Sequence, residues 1–107
     1  MDNIVMIDHE EPSPCFVYIL GCQTARGYRT YVGWTLDLAR RIAQHNSGRG
    51  ARSTRGGVWT LLYHEQYATR REAMSREWHL KRDRTFRKKI RTSALEAADR
   101  ERPIGRG

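Results

Sequence analysis

Residues 31–46 read YVGWTLDLARRIAQHN, and within this stretch one periodicity gives way to another. Tyr31 to Trp34 completes a strand-like segment, Arg29 to Trp34 (RTYVGW), whose aromatic and β-branched residues suit a pleated surface. Thr35 then offers a side-chain oxygen to cap a helix over about Leu36 to Asn46. Asp37 lies in its first turn, Leu38, Ala39 and Ile42 form the apolar stripe, and Gly48 ends it. Gly33 inside a strand pattern signals a close approach of backbone or ligand.

Upstream, Cys15 to Leu20 (CFVYIL) is a continuous apolar run, and Gly21 and Gly27 lie in the polar stretch that follows, so the two runs read as a hairpin. Downstream, Ser47 to Gly57 (SGRGARSTRGG) is Gly-rich and basic. It reads as an exposed loop, either a phosphate-contacting surface or a plain connector. Val58 to Tyr67 has the composition of a third strand. Thr69-Arg70-Arg71-Glu72 then has the spacing of a capping box, opening a helix to about Asp83. A third helical segment, basic from Arg84 to Arg91, continues toward Arg100 until Pro103 and Gly105 end regular structure.

The fold class expected is α+β, a three-stranded antiparallel sheet flanked by helices in the order β-β-α-β-α-α. The 107 residues leave room for one core. Residues 1–14, with an acid cluster, Pro12 and Pro14, are expected to form a flexible acidic arm, 15–92 the folded domain, and 93–107 a C-terminal helical extension and tail.

Asp2, Asp8, Glu10 and Glu11 carry all the charge of the first eleven residues, so twenty cations face eight carboxylates in the remainder. Such a field attracts polyanions. Only Lys81, Lys88 and Lys89 are lysines. The charge is mostly guanidinium, whose planar fork grips two phosphate oxygens at once. Nucleic acid is the natural partner. Cys15 and Cys22 lack the spacing of a zinc cluster and read as reduced thiols in or near the core. Neither a signal peptide nor a membrane span is legible, so a cytoplasmic protein is expected.

With Ala73 at zero on a wheel of the second helix, Leu80 falls at about −20°, Glu77 at about 40°, Met74 at about 100° and Trp78 at about 140°. Glu77 thus sits in the apolar arc, where a carboxylate needs a cation, either an arginine or a metal ion. On the first helix Arg41 and His45, four residues apart, share a face beside the apolar stripe and could grip a phosphate together. Tyr18 and Tyr31 lie in the hairpin strands, where a buried tyrosine needs a partner for its hydroxyl.

Taken together these residues resemble the GIY-YIG nuclease family, whose signature is two short tripeptides on adjacent strands, then an Arg-bearing helix and later a Glu-bearing one. Phe16-Val17-Tyr18 stands for the first tripeptide and Tyr31-Val32-Gly33 for the second. The resemblance spans Cys15 to about Arg91. It looks closest to the catalytic subunit of the eukaryotic structure-specific endonuclease and to small bacterial single-domain members. It implies a DNA endonuclease acting in repair or recombination on branched or single-stranded DNA, with RNA as another possible polymer and a protein partner for targeting. In that resemblance Tyr31 deprotonates or orients a water, assisted by Tyr18 or His45, Arg41 holds the scissile phosphate, and Glu77 ligates one Mg²⁺ or Mn²⁺. The cations expected along the DNA are Arg40, Arg49, Arg52, Arg55, Lys81, Arg84, Arg87 and Lys88. Two departures stand out: Trp34 occupies a position where some members carry Lys, and no Asn follows Asn46. The alternative reading is a nucleic-acid-binding module with a degenerate site.

Overall fold

A computed structural model of the chain describes residues 14–101. Strands β1 (Cys15–Thr24) and β2 (Gly27–Thr35) are followed by helix α1 (Leu38–Asn46) and a 3₁₀ turn (Arg52–Thr54). Strand β3 (Thr60–Tyr67) then leads to helices α2 (Arg70–Arg82) and α3 (Arg84–Arg100). The strands form one antiparallel sheet in the order β2-β1-β3. This is the expected α+β class. The arm expected over 1–14 lies, apart from Pro14, outside the described residues, as does the tail beyond Glu101.

The continuous apolar run of β1 follows from its central place, because both its faces are covered. Val17 and Ile19 join Val32, Ala73 and Leu80 in a cluster under α2 and α3, completed by Trp34, Leu62, Tyr63, Tyr67, Phe86 and Ile90. Tyr18, Leu20, Cys22 and Trp59 face the other way, toward Leu38 and Ile42 of α1. Each fully buried Val, Ile or Leu contributes roughly 1.5–3 kcal/mol. A bulge between Ile19 and Leu20 leaves Leu62 unpaired, so Leu61 faces α1 while both Leu62 and Tyr63 face α2 and α3.

Both hairpin strands run longer than their apolar composition suggests. Cys22 pairs with Arg29, Gln23 with Tyr28 and Thr24 with Gly27. Ladder hydrogen bonds join backbones whatever the side chains, and Gly27 supplies the φ of +124° that the turn requires. Helix α1 begins two residues later than expected. Asp37, not Thr35, is its N-cap, accepting from the Arg40 N–H at 3.1 Å, while Thr35 Oγ1 accepts from the Asp37 N–H at 3.2 Å. β3 likewise starts late, at Thr60, with Val58 left exposed. The Thr69–Glu72 capping box of α2 is present on both sides.

The joint between α2 and α3 is one residue. The Asp83 N–H donates to the Leu80 carbonyl, closing α2, and its Oδ1 accepts from the Phe86 N–H at 3.0 Å, opening α3. Arg70 shares a cleft with Trp34, whereas Arg84 shares one with Thr30, so α2 travels along β2 in the opposite chain direction. Glu77 falls midway.

Candidate active site

Tyr18 and Gly33 are register partners across β1 and β2. A Cβ on Gly33 would lie 2.5 Å from the Tyr18 hydroxyl and 2.7 Å from its Cζ, so only glycine lets the phenol occupy this position. The tripeptide glycine is therefore a packing requirement. It leaves Tyr18 and Tyr31 side by side, ring centroids 6.3 Å apart, with the His45 ring 5.9 Å from the first and 4.9 Å from the second.

His45 does not sit beside the apolar stripe of α1 as its sequence position suggests. It is fully buried, beneath half-buried Leu38 and Ile42, while Ala39 of the expected stripe is exposed. A buried imidazole needs both nitrogens satisfied. The Tyr18 hydroxyl lies 2.9 Å from His45 Nε2, and Thr54 Oγ1 lies 2.8 Å from Nδ1. The Thr54 hydroxyl donates its one proton to the Ala51 carbonyl at 2.8 Å, so toward His45 it can only accept. Nδ1 therefore carries the ring proton, Nε2 accepts, and the Tyr18 O–H donates inward. Burial and then the Arg41 charge lower the His45 pKa, which keeps this neutral form.

Tyr18 is held as a neutral donor. Burial raises its pKa to about 12, against the opposing pull of the Arg41 guanidinium. The Arg41 guanidinium favours the ionised form of this phenol, while Tyr31 and Glu77 act with burial to disfavour it. Arg41 is half-buried and donates from Nη1 to Gln44 Oε1 at 2.9 Å. Among the described residues the Tyr31 hydroxyl has no hydrogen-bond partner, so of the two phenols it is the one with a proton and lone pairs free for a ligand.

Glu77 is half-buried, its side chain 21 % exposed, and Oε2 lies 3.4 Å from the Lys81 ammonium one turn on. The arc expected around it is narrower than the wheel suggests. Ala73 and Leu80 are buried, but Met74 is 50 % and Trp78 53 % exposed. The helix buries Ala73 and Leu80 outright and half-buries Arg76 and Glu77 on either side of that line.

Comparison with known proteins bears on this arrangement. The family model described as the GIY-YIG catalytic domain matches residues 14–91. The chain belongs to the GIY-YIG family. Similar proteins include a UPF0213 protein of Clostridium perfringens, 46% identical over 63% of this chain and 70% of that one. Another from Streptococcus pneumoniae is 42% identical over 71% of each chain, and one from Haloquadratum walsbyi is 38% identical over 82% of this chain and 94% of that one. A solution NMR structure of a UPF0213 protein from Bacillus halodurans is 38% identical, covers 77% of this chain and 84% of its own, and superposes with a TM-score of 0.40.

The cations of this GIY-YIG domain form separate groups. Arg40 and Arg41 line a cleft of about 450 Å³ with Trp34, Asp37 and Arg70. Arg84, Arg87, Lys88 and Arg91 line another of about 380 Å³ with Thr30. There Arg87 also donates to the Leu80 and Lys81 carbonyls, which holds it at the end of α2. Arg49, Arg52 and Arg55 are exposed on the loop after α1, and Lys81 is exposed beside Glu77. The α3 group and the loop group attach to opposite faces of the sheet.

That loop of the GIY-YIG domain is more than a connector. Thr54 is fully buried beneath His45, and its carbonyl accepts from Trp59 Nε1 at 2.8 Å. Gly50 lies so close to His45 Nδ1 that a Cβ there would clash with the ring. Asn46 bridges back to Trp59, accepting from its N–H and donating to its carbonyl at 3.0 Å. Sequence reading missed Thr54 and Gly50, since nothing in a Gly-rich basic stretch marks one threonine as inward. It also missed Glu65, which accepts from Tyr63, from Tyr67 at 2.6 Å, and from Arg76 at 2.8 and 3.1 Å. Burial opposes its ionisation, but the Arg76 bonds and the two phenols outweigh that and bring its pKa down to about 2.

Proposed function

We propose that this GIY-YIG domain is a metal-dependent DNA endonuclease, acting in the cytoplasm on single-stranded or branched DNA during repair or recombination. The observation that carries this reading is the packing of Tyr18, Tyr31 and His45 against one another, the first phenol locked by a buried, neutral histidine, with Arg41 one turn before that histidine on α1 and Glu77 half-buried on α2. Hydrolysis of a phosphodiester needs a directed water and neutralisation of charge on phosphorus. In this reading Tyr31, whose hydroxyl has no hydrogen-bond partner among the described residues, orients the water and takes up its proton as it passes its own phenolic proton to solvent. Tyr18, committed to His45, keeps Tyr31 and Arg41 in place. Arg41 binds the scissile phosphate. The water oxygen bonds to phosphorus as the bond to the leaving oxygen breaks, and that oxygen takes up a proton from solvent.

Glu77 offers one carboxylate, and among the described residues no group of three His, Cys, Asp or Glu side chains gathers into a cage. That donor set fits a hard ion that keeps several waters and completes its shell with phosphate oxygens, such as Mg²⁺ or Mn²⁺. When bound, the ion supplies Lewis acidity and an acidified water. Lys81, 49 % exposed and paired to Glu77 at 3.4 Å, is a weak competitor of the kind that yields to a divalent ion.

The test is incubation of wild type and Glu77→Ala with single-stranded, branched and duplex DNA, with and without Mg²⁺ or Mn²⁺. Metal-dependent cleavage by wild type alone supports the reading; binding by both with cleavage by neither overturns it. That second outcome would favour a nucleic-acid-binding module, a reading to which Trp34 and the Glu77–Lys81 pair lend support. The same assay on an RNA strand separates the polymers, and a protein partner for targeting belongs to either reading.

A further inference from the structure

Helix α2 carries more than Glu77. Continuing around the wheel from Glu77 at about 40°, Arg70 falls at about 60°, Lys81 at about 80°, Met74 at about 100°, Trp78 at about 140°, Arg71 at about 160° and Arg82 at about 180°. In this sector Glu77 is the only acid, four residues are cations, and the two apolar side chains are half exposed. Met74 and Trp78 are one turn apart and therefore adjoin on the surface.

The indole is not loose. The Arg82 guanidinium lies 3.7 Å over the ring and donates from Nη1 to the Trp78 carbonyl at 2.8 Å, which braces the stack while the residue stays 53 % exposed. A flat apolar surface set among cations, next in sequence to the carboxylate at the reaction centre, suits a ligand that alternates π faces with negative charge. A single nucleic-acid strand has that alternation. In duplex DNA the base faces are stacked on one another and out of reach. A second copy of this chain would bring a net charge of +8 against a patch of the same sign.

We propose that this flank of α2 receives an unpaired part of the strand whose phosphate lies at Arg41, with one base stacked on Trp78 and Arg82 and packed against Met74. Arg70, Arg71 and Lys81 take the neighbouring phosphates. The proposal rests on the nuclease reading for the position of the strand and adds a preference, for an unpaired base beside the scissile bond.

The experiment is binding of the full chain, in chelator so that no cleavage occurs, to a twelve-residue oligothymidylate and to a blunt duplex of the same length. Trp78→Ala and Trp78→Phe are compared with wild type, and thermal melting checks that each is folded. A stacked base contributes roughly 1–3 kcal/mol, so Trp78→Ala should lose about 5- to 150-fold in affinity for the single strand. Trp78→Phe should keep most of it, and duplex affinity should change less than twofold for both. Equal losses on the two DNAs, or no loss on either, would overturn the inference, as would absence of single-strand binding by wild type. Self-association that disappears in Trp78→Ala would overturn it too, in favour of a dimer contact. Cleavage is assayed separately with metal. If wild type cuts while Trp78→Ala binds normally, only the stacking site falls. If nothing is cut yet the single-strand preference depends on Trp78, only the nuclease reading falls.

Discussion

Each face of the sheet holds a polar device, and the two are built on opposite terms. Under α2 and α3, Glu65 is ionised and saturated: two phenols and both nitrogens of one Arg76 edge occupy its oxygens, and Arg76 in turn lies 5.7 Å over the Phe86 ring. Under α1, the chain from Ala51 through Thr54 and His45 to Tyr18 is neutral and directional, and it ends at a phenol whose ring lies 6.3 Å from that of Tyr31. The first network closes on itself and fastens β3 to α2. The second stays open at one end. A saturated network has nothing left to offer a ligand, whereas an open chain fixes the orientation of a group that still faces one.

If that contrast is right, substitutions on the two sides should separate activity from stability. The largest effect expected is on cleavage: Arg41→Ala should lower the rate about 10²–10³-fold, because charge on phosphorus goes unneutralised. It should keep part of the DNA affinity, because one contact of many is lost. Gel-based cleavage beside fluorescence anisotropy reads both, and equal losses would contradict the assignment. Next, Glu65→Ala strands Arg76 and two phenols and should cost about 2–3 kcal/mol in urea unfolding, with cleavage per folded molecule nearly unchanged. Loss of activity without loss of stability would erase the contrast.

Thr54→Val is expected to cost about 1–2 kcal/mol, since His45 Nδ1–H loses its buried acceptor. Unlike Glu65→Ala, it should also slow cleavage, and Thr54→Ser should restore the rate. ¹⁵N shifts of the imidazole would show whether the Nδ1–H form persists.

Acid should distinguish the faces by pH window. His45 has its pKa lowered below the usual 6.5, so the unfolded chain binds a proton first; stability falls as pH drops below about 6.5 and levels off under the lowered folded value. Glu65 contributes stability that is complete above 4.5 and lost as pH falls toward about 2. His45→Gln should flatten only the upper window and Glu65→Gln only the lower one, in urea unfolding measured across pH. The smallest effect is electrostatic. Replacing Arg91 alone should reduce the salt slope of DNA binding by about one unit.

Much of this molecule could be read from the sequence, for identifiable reasons. The two-residue and 3.6-residue periodicities, the Thr69–Glu72 box and the glycines gave the element order, because each is a local preference that the tertiary structure left in place. The spacing of Tyr18, Tyr31, Arg41, His45 and Glu77 pointed to one site. The depth of those residues was not legible. On a wheel of α1 His45 falls about 20° from Leu38, at the edge of the apolar stripe, and its full depth comes from the loop that folds over it, with Gly50 and Thr54. Met74 and Trp78 look like core because a wheel counts apolar residues without knowing which of them meet a neighbour, and among the described residues these two stay half exposed. Glu65 sits in an alternating strand where a carboxylate ordinarily faces solvent, and its three partners come from other positions and another element.

The single-residue joint at Asp83 leaves no slack between the helix that bears Glu77 and the helix that bears Arg84, Arg87, Lys88 and Arg91. One inserted residue would turn that cationic stripe by about 100° and shift it by about 1.5 Å. The two helices therefore act as a fixed gauge, in which the span between the carboxylate and the α3 cleft is set by residue count.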